Sequence, residues 1–215
     1  MKKYIALLTT SMALFAGEGG DIFRSQVMFE NLEIQKGGTV AWDMNAYAGY
    51  NINKLYLFSE GEGSSWQTGL VFSHAISPFW DLQIGAQTEH DQKSITFGEI
   101  GLYGLAPYWI ETQAKLLFGH GGVGVDLDFA YETLFTQKLI LDTSIATRWM
   151  SKAYPEIGVG KGLNFVEIGA QLRYEIKREF APYIGVKVKR NFGETKRIQG
   201  EKTETSLVAG VRFWF

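Results

Sequence analysis

Three histidines, a few methionines and a scatter of carboxylates are the side chains in this sequence with chemistry to offer. Thioether sulfur suits soft metal ions, imidazole borderline ones, and carboxylate oxygen hard ones. Past the first residues the candidate ligands are Met28, Met44, Met150, His74, His90 and His120, with Glu60 and Glu62 able to add oxygen. No two stand at a metal-motif spacing along one element, so an ordinary structural role is the favoured reading for each histidine. Hydrolytic chemistry fares worse. Ser73 and His74 are adjacent, and neighbours on a strand face opposite ways and cannot form a nucleophile–base pair. His90-Asp91 lacks a third partner. Gly158-Val159-Gly160-Lys161-Gly162 has a phosphate loop's composition without its strand-to-helix context. The chain reads as a non-enzyme that uses no organic cofactor.

The elements that must position these residues are strands. From Thr205 to Phe215, Leu207, Ala209, Val211, Phe213 and Phe215 point one way, while Ser206, Val208, Gly210, Arg212 and Trp214 point the other. A strict period of two marks a strand with two different faces. Similar alternation begins near Arg24 and recurs along the chain, giving about twelve strands, an even number. Only the first falters: Val27 and Phe29 share one face, Leu32 and Ile34 the other, which predicts a bulge near Asn31. No helical period is sustained.

Connections alternate in character. Ser77-Pro78-Phe79, Ala106-Pro107-Tyr108, Phe135-Thr136-Gln137 and Ala181-Pro182-Tyr183 read as tight turns. Between them lie polar stretches, most of them Gly-bearing, expected as longer loops: 60–65, 90–94, 119–122, 151–162 and 191–204. Short turns at one rim and long loops at the other describe a bacterial outer-membrane barrel. Phe79, Trp80, Tyr108, Trp109, Phe180, Tyr183, Trp66 and Trp149 fall near strand ends, where girdles of aromatic rings belong. Phe213 and Phe215 resemble the terminal assembly signal of such barrels.

Length, charge and the N-terminus agree. The 215 residues suit one domain, there is no cysteine, and the net charge of −2 argues against nucleic acid as a partner. Lys2, Lys3 and the apolar run from Tyr4 to Ala16 fit a signal peptide and are too short for a spanning helix. The expected organisation is a signal peptide and short segment over residues 1–20. A single up-and-down antiparallel transmembrane β-barrel then occupies residues 21–215. Its acidic row of Glu60, Glu62, Asp81, Glu89, Asp126 and Asp128 could attract cations, although salt-bridged filling is the favoured reading. Lys187, Lys189, Arg190, Lys196 and Arg197 make a basic patch that could meet lipopolysaccharide phosphates.

Several segments resemble the copper-resistance protein B family. They are Asn53-Lys54-Leu55 with Glu60-Gly61-Glu62, Ala75 through Gln83, Gly104 through Trp109, Thr136 through Leu141, Arg173 through Tyr183, and Val208 through Phe215. The resemblance implies an outer-membrane protein of a Gram-negative cell that binds copper or moves it out of the periplasm. It also implies contact with outer-membrane lipid and the assembly machinery, and periplasmic copper-handling proteins as partners. Members of the family often carry a Met- and His-rich arm before the barrel. Residues 17–24 contain neither residue type, so a copper role here must rest on the barrel itself, with His74, His90, His120, Met150, Glu60 and Glu62 as candidate ligands. The alternative is a general small-solute channel.

Overall fold

In the computed structural model, which describes residues 22–35, 37–200 and 203–215, alternation of residue character becomes alternation of face in a closed sheet. The expected signal peptide lies outside the described residues. Twelve antiparallel strands follow one another around the barrel: β1 (Arg24–Gln35), β2 (Val40–Gly49), β3 (Asn53–Glu62), β4 (Ser65–Ser77), β5 (Trp80–His90), β6 (Ser94–Ala106), β7 (Ile110–Gly119), β8 (Gly122–Leu134), β9 (Leu139–Met150), β10 (Gly162–Tyr174), β11 (Phe180–Asn191) and β12 (Thr203–Trp214). Pairing of β1 with β12 closes the ring and leaves no edge strand to aggregate. A five-residue helix, α1 (Thr195–Gln199), interrupts the last connection.

Outward-facing Leu55, Leu57, Leu70, Phe72, Leu82, Ile84, Ile100, Leu102, Ile168, Ile184 and Leu207 are exposed. A row this large and this apolar is stable only against acyl chains. Their strand neighbours face the interior, where the buried side chains include Glu33, Gln83, Gln87, Glu89, Glu99, Lys115, Asp126 and Arg173. The bulge expected near Asn31 is present. Register slips between Phe29 and Asn31 against β2 and between Phe29 and Leu32 against β12. The extra residue turns Leu32 and Ile34 outward and lets both Glu30 and Asn31 reach inward.

Two expectations about the rims need correction. Three polar stretches expected as long loops are tight turns. Gly63-Ser64 joins β3 to β4, Asp91 to Lys93 joins β5 to β6, and His120-Gly121 joins β7 to β8. His120 (φ 50°) and Gly121 (φ 77°) both lie in the left-handed region that a two-residue hairpin demands. Among the described residues, asymmetry between the rims therefore rests on two connections, residues 151–161 and 192–200. Tyr183 is the other correction. It sits on the inner face at 4% exposure and donates its hydroxyl to Glu33 and Asn31, so it is no part of a girdle. Phe79, Tyr108, Trp109, Phe180 and Trp149 are exposed at strand ends, as a girdle requires.

Candidate ion-binding lumen

Both ends of the barrel sequence meet at one rim: the amide of Val27 donates to the carbonyl of Phe215 at 3.0 Å, and the reverse bond is equally long. This C-terminal rim and the opposite loop rim bound an interior lined by charge. Glu30, Asp43, Glu60, Asp81, Glu89, Glu99, Glu111, Asp126, Asp128, Glu132 and Asp142 point inward, against Lys54, Lys115, Arg148, Arg173, Lys187, Lys189 and Arg212. Acids outnumber bases there far more than the net charge of −2 suggests. Part of the balance is salt-bridged filling, as expected. Arg148 donates to both oxygens of Asp126 at 2.7 and 2.6 Å and to Glu89 at 2.8 Å. Lys54 lies 3.7 Å from Asp81, and Glu60 accepts from the amide of Gln67. Asp43, Glu62, Glu99, Glu111 and Asp128 are lumen acids outside these pairs.

Near the C-terminal rim the charges form a wetter network. Arg173 reaches Glu132 (2.7 Å), Asp142 (3.6 Å) and Glu175 (3.8 Å), while Arg212 reaches Glu30 (3.0 Å) and the same Glu132 (3.3 Å). The carboxylates of Glu30 and Glu132 remain about a third exposed, 31% and 34%, so water enters from this side.

The loop rim is filled instead. The connection after β9 turns inward and packs Tyr154, Ile157 and Val159 onto Phe97, Leu117 and Met150, with Ile95 at the margin. Tyr154 and Val159 close the loop on itself through two backbone hydrogen bonds, and the Tyr154 hydroxyl donates to the carbonyl of Gly119. Burial raises the pKa of this phenol above its usual value. The preceding connection is tied in as well, with the amides of Gln92 and Lys93 donating to the carbonyl of Glu156. The last connection clasps the loop from the other side. Thr195 Oγ1 accepts from the amide of Gly160 at 2.9 Å and from Asn164 Nδ2 at 2.8 Å, and the same Nδ2 donates to the carbonyl of Gly160. A Cβ at residue 160 would fall 2.2 Å from the Thr195 nitrogen, so only glycine lets the two loops come this close.

The residues singled out from sequence are dispersed by this architecture. His74 lies on the outer face of β4 among Leu70, Phe72 and Ile76, 2.8 Å from Asn53 Oδ1. His90 is also on the outer face, stacked on Trp66 and bonded to Ser94. His120 occupies the β7–β8 turn with its ring nearly perpendicular to that of Phe97. Met150 points inward but is wholly buried within the apolar plug. Glu60 and Glu62 face the lumen from the end of β3. Among the described residues no group of three or more His, Asp or Glu side chains is arranged to hold a metal ion. Arg148, Arg173 and Arg212, which organise the interior, escape sequence reasoning because their partners come from distant strands.

A closed twelve-stranded barrel with an acyl-facing apolar surface and a charged interior defines an outer-membrane barrel protein, placing the C-terminal rim in the periplasm. The chain belongs to the copper resistance protein B family: residues 23–215 match the family described as "Copper resistance protein B precursor (CopB)". It is 35% identical over 203 residues to a copper resistance protein B of Escherichia coli, which covers 88% of this chain and 69% of the relative. It is 34% identical over 190 residues to a homolog from Pseudomonas syringae pv. tomato, covering 83% and 65%. The chain thus spans about two thirds of each relative's length. Among solved structures it resembles the NanC porin (TM-score 0.58, 12% identity, 88% of this chain and 99% of that one). The KdgM porin is similar to it in fold as well (TM-score 0.53, 13% identity, 88% and 99%). At these identities the likeness is one of fold. The protein resides in the outer membrane of a Gram-negative bacterium and is linked to copper resistance. Its family is one of copper resistance proteins, not of enzymes.

Proposed function

We propose that the barrel contributes to copper resistance by admitting copper ions from the periplasm into its acidic lumen, where they are bound or passed onward. The observation that carries this reading is the excess of inward carboxylates, with Glu30 and Glu132 still open to water at the periplasmic rim. A narrow, low-dielectric tube whose lining carries an excess of one sign of charge concentrates counter-ions from the adjoining compartment. The two sequence relatives, a copper resistance protein B and a homolog of it, support copper as the cation that matters. A general small-solute channel is less well supported, because the loop after β9 fills the outer mouth with apolar side chains. In the same reading lipopolysaccharide, the assembly machinery and periplasmic copper-handling proteins are partners of the folded barrel.

Survival of a deletion strain on graded copper tests the proposal. Wild-type protein should restore growth, and Glu30→Gln with Glu132→Gln should restore it only partly at equal outer-membrane abundance. Full rescue by the double variant, or wild-type survival of the deletion strain itself, would overturn the reading.

A further inference from the structure

Phe58 on β3 and Lys115 on β7 meet inside the barrel, the ammonium 4.4 Å from the ring centroid, although β4, β5 and β6 stand between their strands. Adjacent strands lie about 4.8 Å apart, so the two side chains together span four such spacings, a third of the way round the wall. Glycine clears the way at both ends. Phe58 pairs with Gly69, where a Cβ would overlap the Phe58 ring. Lys115 pairs with Gly101, where a Cβ would touch Lys115 Cγ at 3.7 Å.

A ring face is a weak anchor for an ammonium that has carboxylates in reach. Glu99 stands diagonal to Lys115, since Gly101 pairs with Lys115 and Glu99 with Leu117, a separation that long side chains span. Glu99 is 0% exposed, and neither of its oxygens has a hydrogen-bond partner. A buried acceptor left this way is costly and rare, and the neighbouring ammonium that would answer it is parked over a ring instead. What holds it there is the field of the lumen. Asp43 and Asp128, like Glu99, feel the charge of Lys115, while Asp126 beside them is taken by Arg148. Among the described residues one ammonium is thus shared by three carboxylates and ion-paired to none. It sits where a visiting cation would be drawn.

We propose that Lys115 sets the cation specificity of the lumen as a tethered occupant: its ammonium fills the cation position over Phe58 and swings to Glu99 when a free cation takes that position. Like-charge repulsion drives the ammonium off the ring, and Glu99 receives it in a charge-assisted hydrogen bond. One cation leaves the position as another arrives, so its charge is conserved, and the buried carboxylate gains the partner it lacks. The inference rests on the reading of the lumen as a cation path, but not on copper being the cation.

Currents through refolded barrels in planar bilayers under a potassium chloride gradient test the exchange, with Ile157→Ala as the common background to loosen the plug. Lys115→Met keeps the stem and removes the charge, and the permeability ratio of potassium over chloride should rise at least about twofold. Phe58→Leu changes no charge. It removes the ring on which the ammonium rests, so the ammonium shifts to Glu99 and potassium conductance should rise. In a Glu99→Leu background that rise should vanish, because the ammonium then has no second berth. The two variants are independent, so one that fails to fold leaves the other decisive. An unchanged permeability ratio in Lys115→Met would place the ammonium off the ion path and overturn the proposal. A Phe58→Leu rise that persisted with Glu99→Leu would mark a merely widened lumen and overturn it as well. Barrels that pass chloride as readily as potassium before Lys115 or Phe58 is touched, or pass neither, would overturn the cation-path reading itself and this inference with it.

Discussion

The two halves of the lumen are held by the same kind of interaction in different solvents. Toward the outside, Arg148 is clasped by Asp126 and Glu89 under an apolar plug, and all three side chains are close to fully buried. Toward the periplasm, Arg173 and Arg212 share Glu132, Glu30 and Asp142; Arg173 is itself buried, and water reaches the network through Arg212, Glu30 and Glu132. An ion pair away from water is expensive to make and more expensive to break. A pair in water is worth little either way. The outer half therefore serves as a structural seal, while the inner half is free to exchange its counter-ions with the periplasm.

Breaking one pair in each half gives the largest predicted difference. Arg148→Ala strands two buried carboxylates and should cost about 3–5 kcal/mol, the range for removing one partner of a buried pair. Arg212→Ala leaves Glu132 bound to Arg173 and Glu30 hydrated, and should cost about 1 kcal/mol or less. Urea unfolding of the two variants in lipid vesicles measures both. Equal losses would mean that the outer half is no drier than the inner one.

The plug itself offers the next comparison. Ile157 is 7% exposed and belongs to the apolar cluster with Phe97, Leu117 and Met150, so Ile157→Ala should loosen the loop at a cost of about 2–4 kcal/mol, confined to the outer half. In planar bilayers the wild-type barrel should stay closed to ions most of the time, and the variant should show frequent openings. A wild-type barrel that conducts as steadily as the variant would show that ions pass around the plug.

These two halves differed sharply in how well the sequence displayed them. Periodicity placed the lipid face of nearly every strand, and it located the bulge at Asn31 because a slip of phase is itself a local signal. Turn lengths were harder. Gly63-Ser64 and His120-Gly121 sit in stretches whose glycines suggest slack, yet positive backbone angles at such residues are what a tight hairpin uses, and the strands simply run on. The Arg148 cluster joins β5, β8 and β9, so Glu89 and Arg148, 59 residues apart, meet only once the sheet has curled round on itself. Tyr183 was misplaced for the same reason: near a strand end, one position decides between girdle and lumen. The plug residues Tyr154, Ile157 and Val159 lie in a connection that reads from sequence only as a polar, Gly-rich loop. Copper chemistry was the least legible of all, since His74 and His90 face outward and Met150 is packed in hydrocarbon.

The finest test of the seal is the clasp between its two loops. Thr195 is 2% exposed and its hydroxyl takes up the Gly160 amide and the Asn164 side chain at once. Thr195→Val keeps the shape and removes the acceptor, which leaves a buried backbone donor unpaired and should cost about 1–2 kcal/mol. Because Asn164 still bonds the Gly160 carbonyl at 2.6 Å, the loop should remain seated but exchange faster. Amide hydrogen exchange should therefore accelerate at residues 154–160 while β9 and β10, held by their full ladders, stay as protected as before. Acceleration that spread evenly through the barrel would show that the outer seal and the barrel wall open as one unit, and the division into two halves would lose its physical basis.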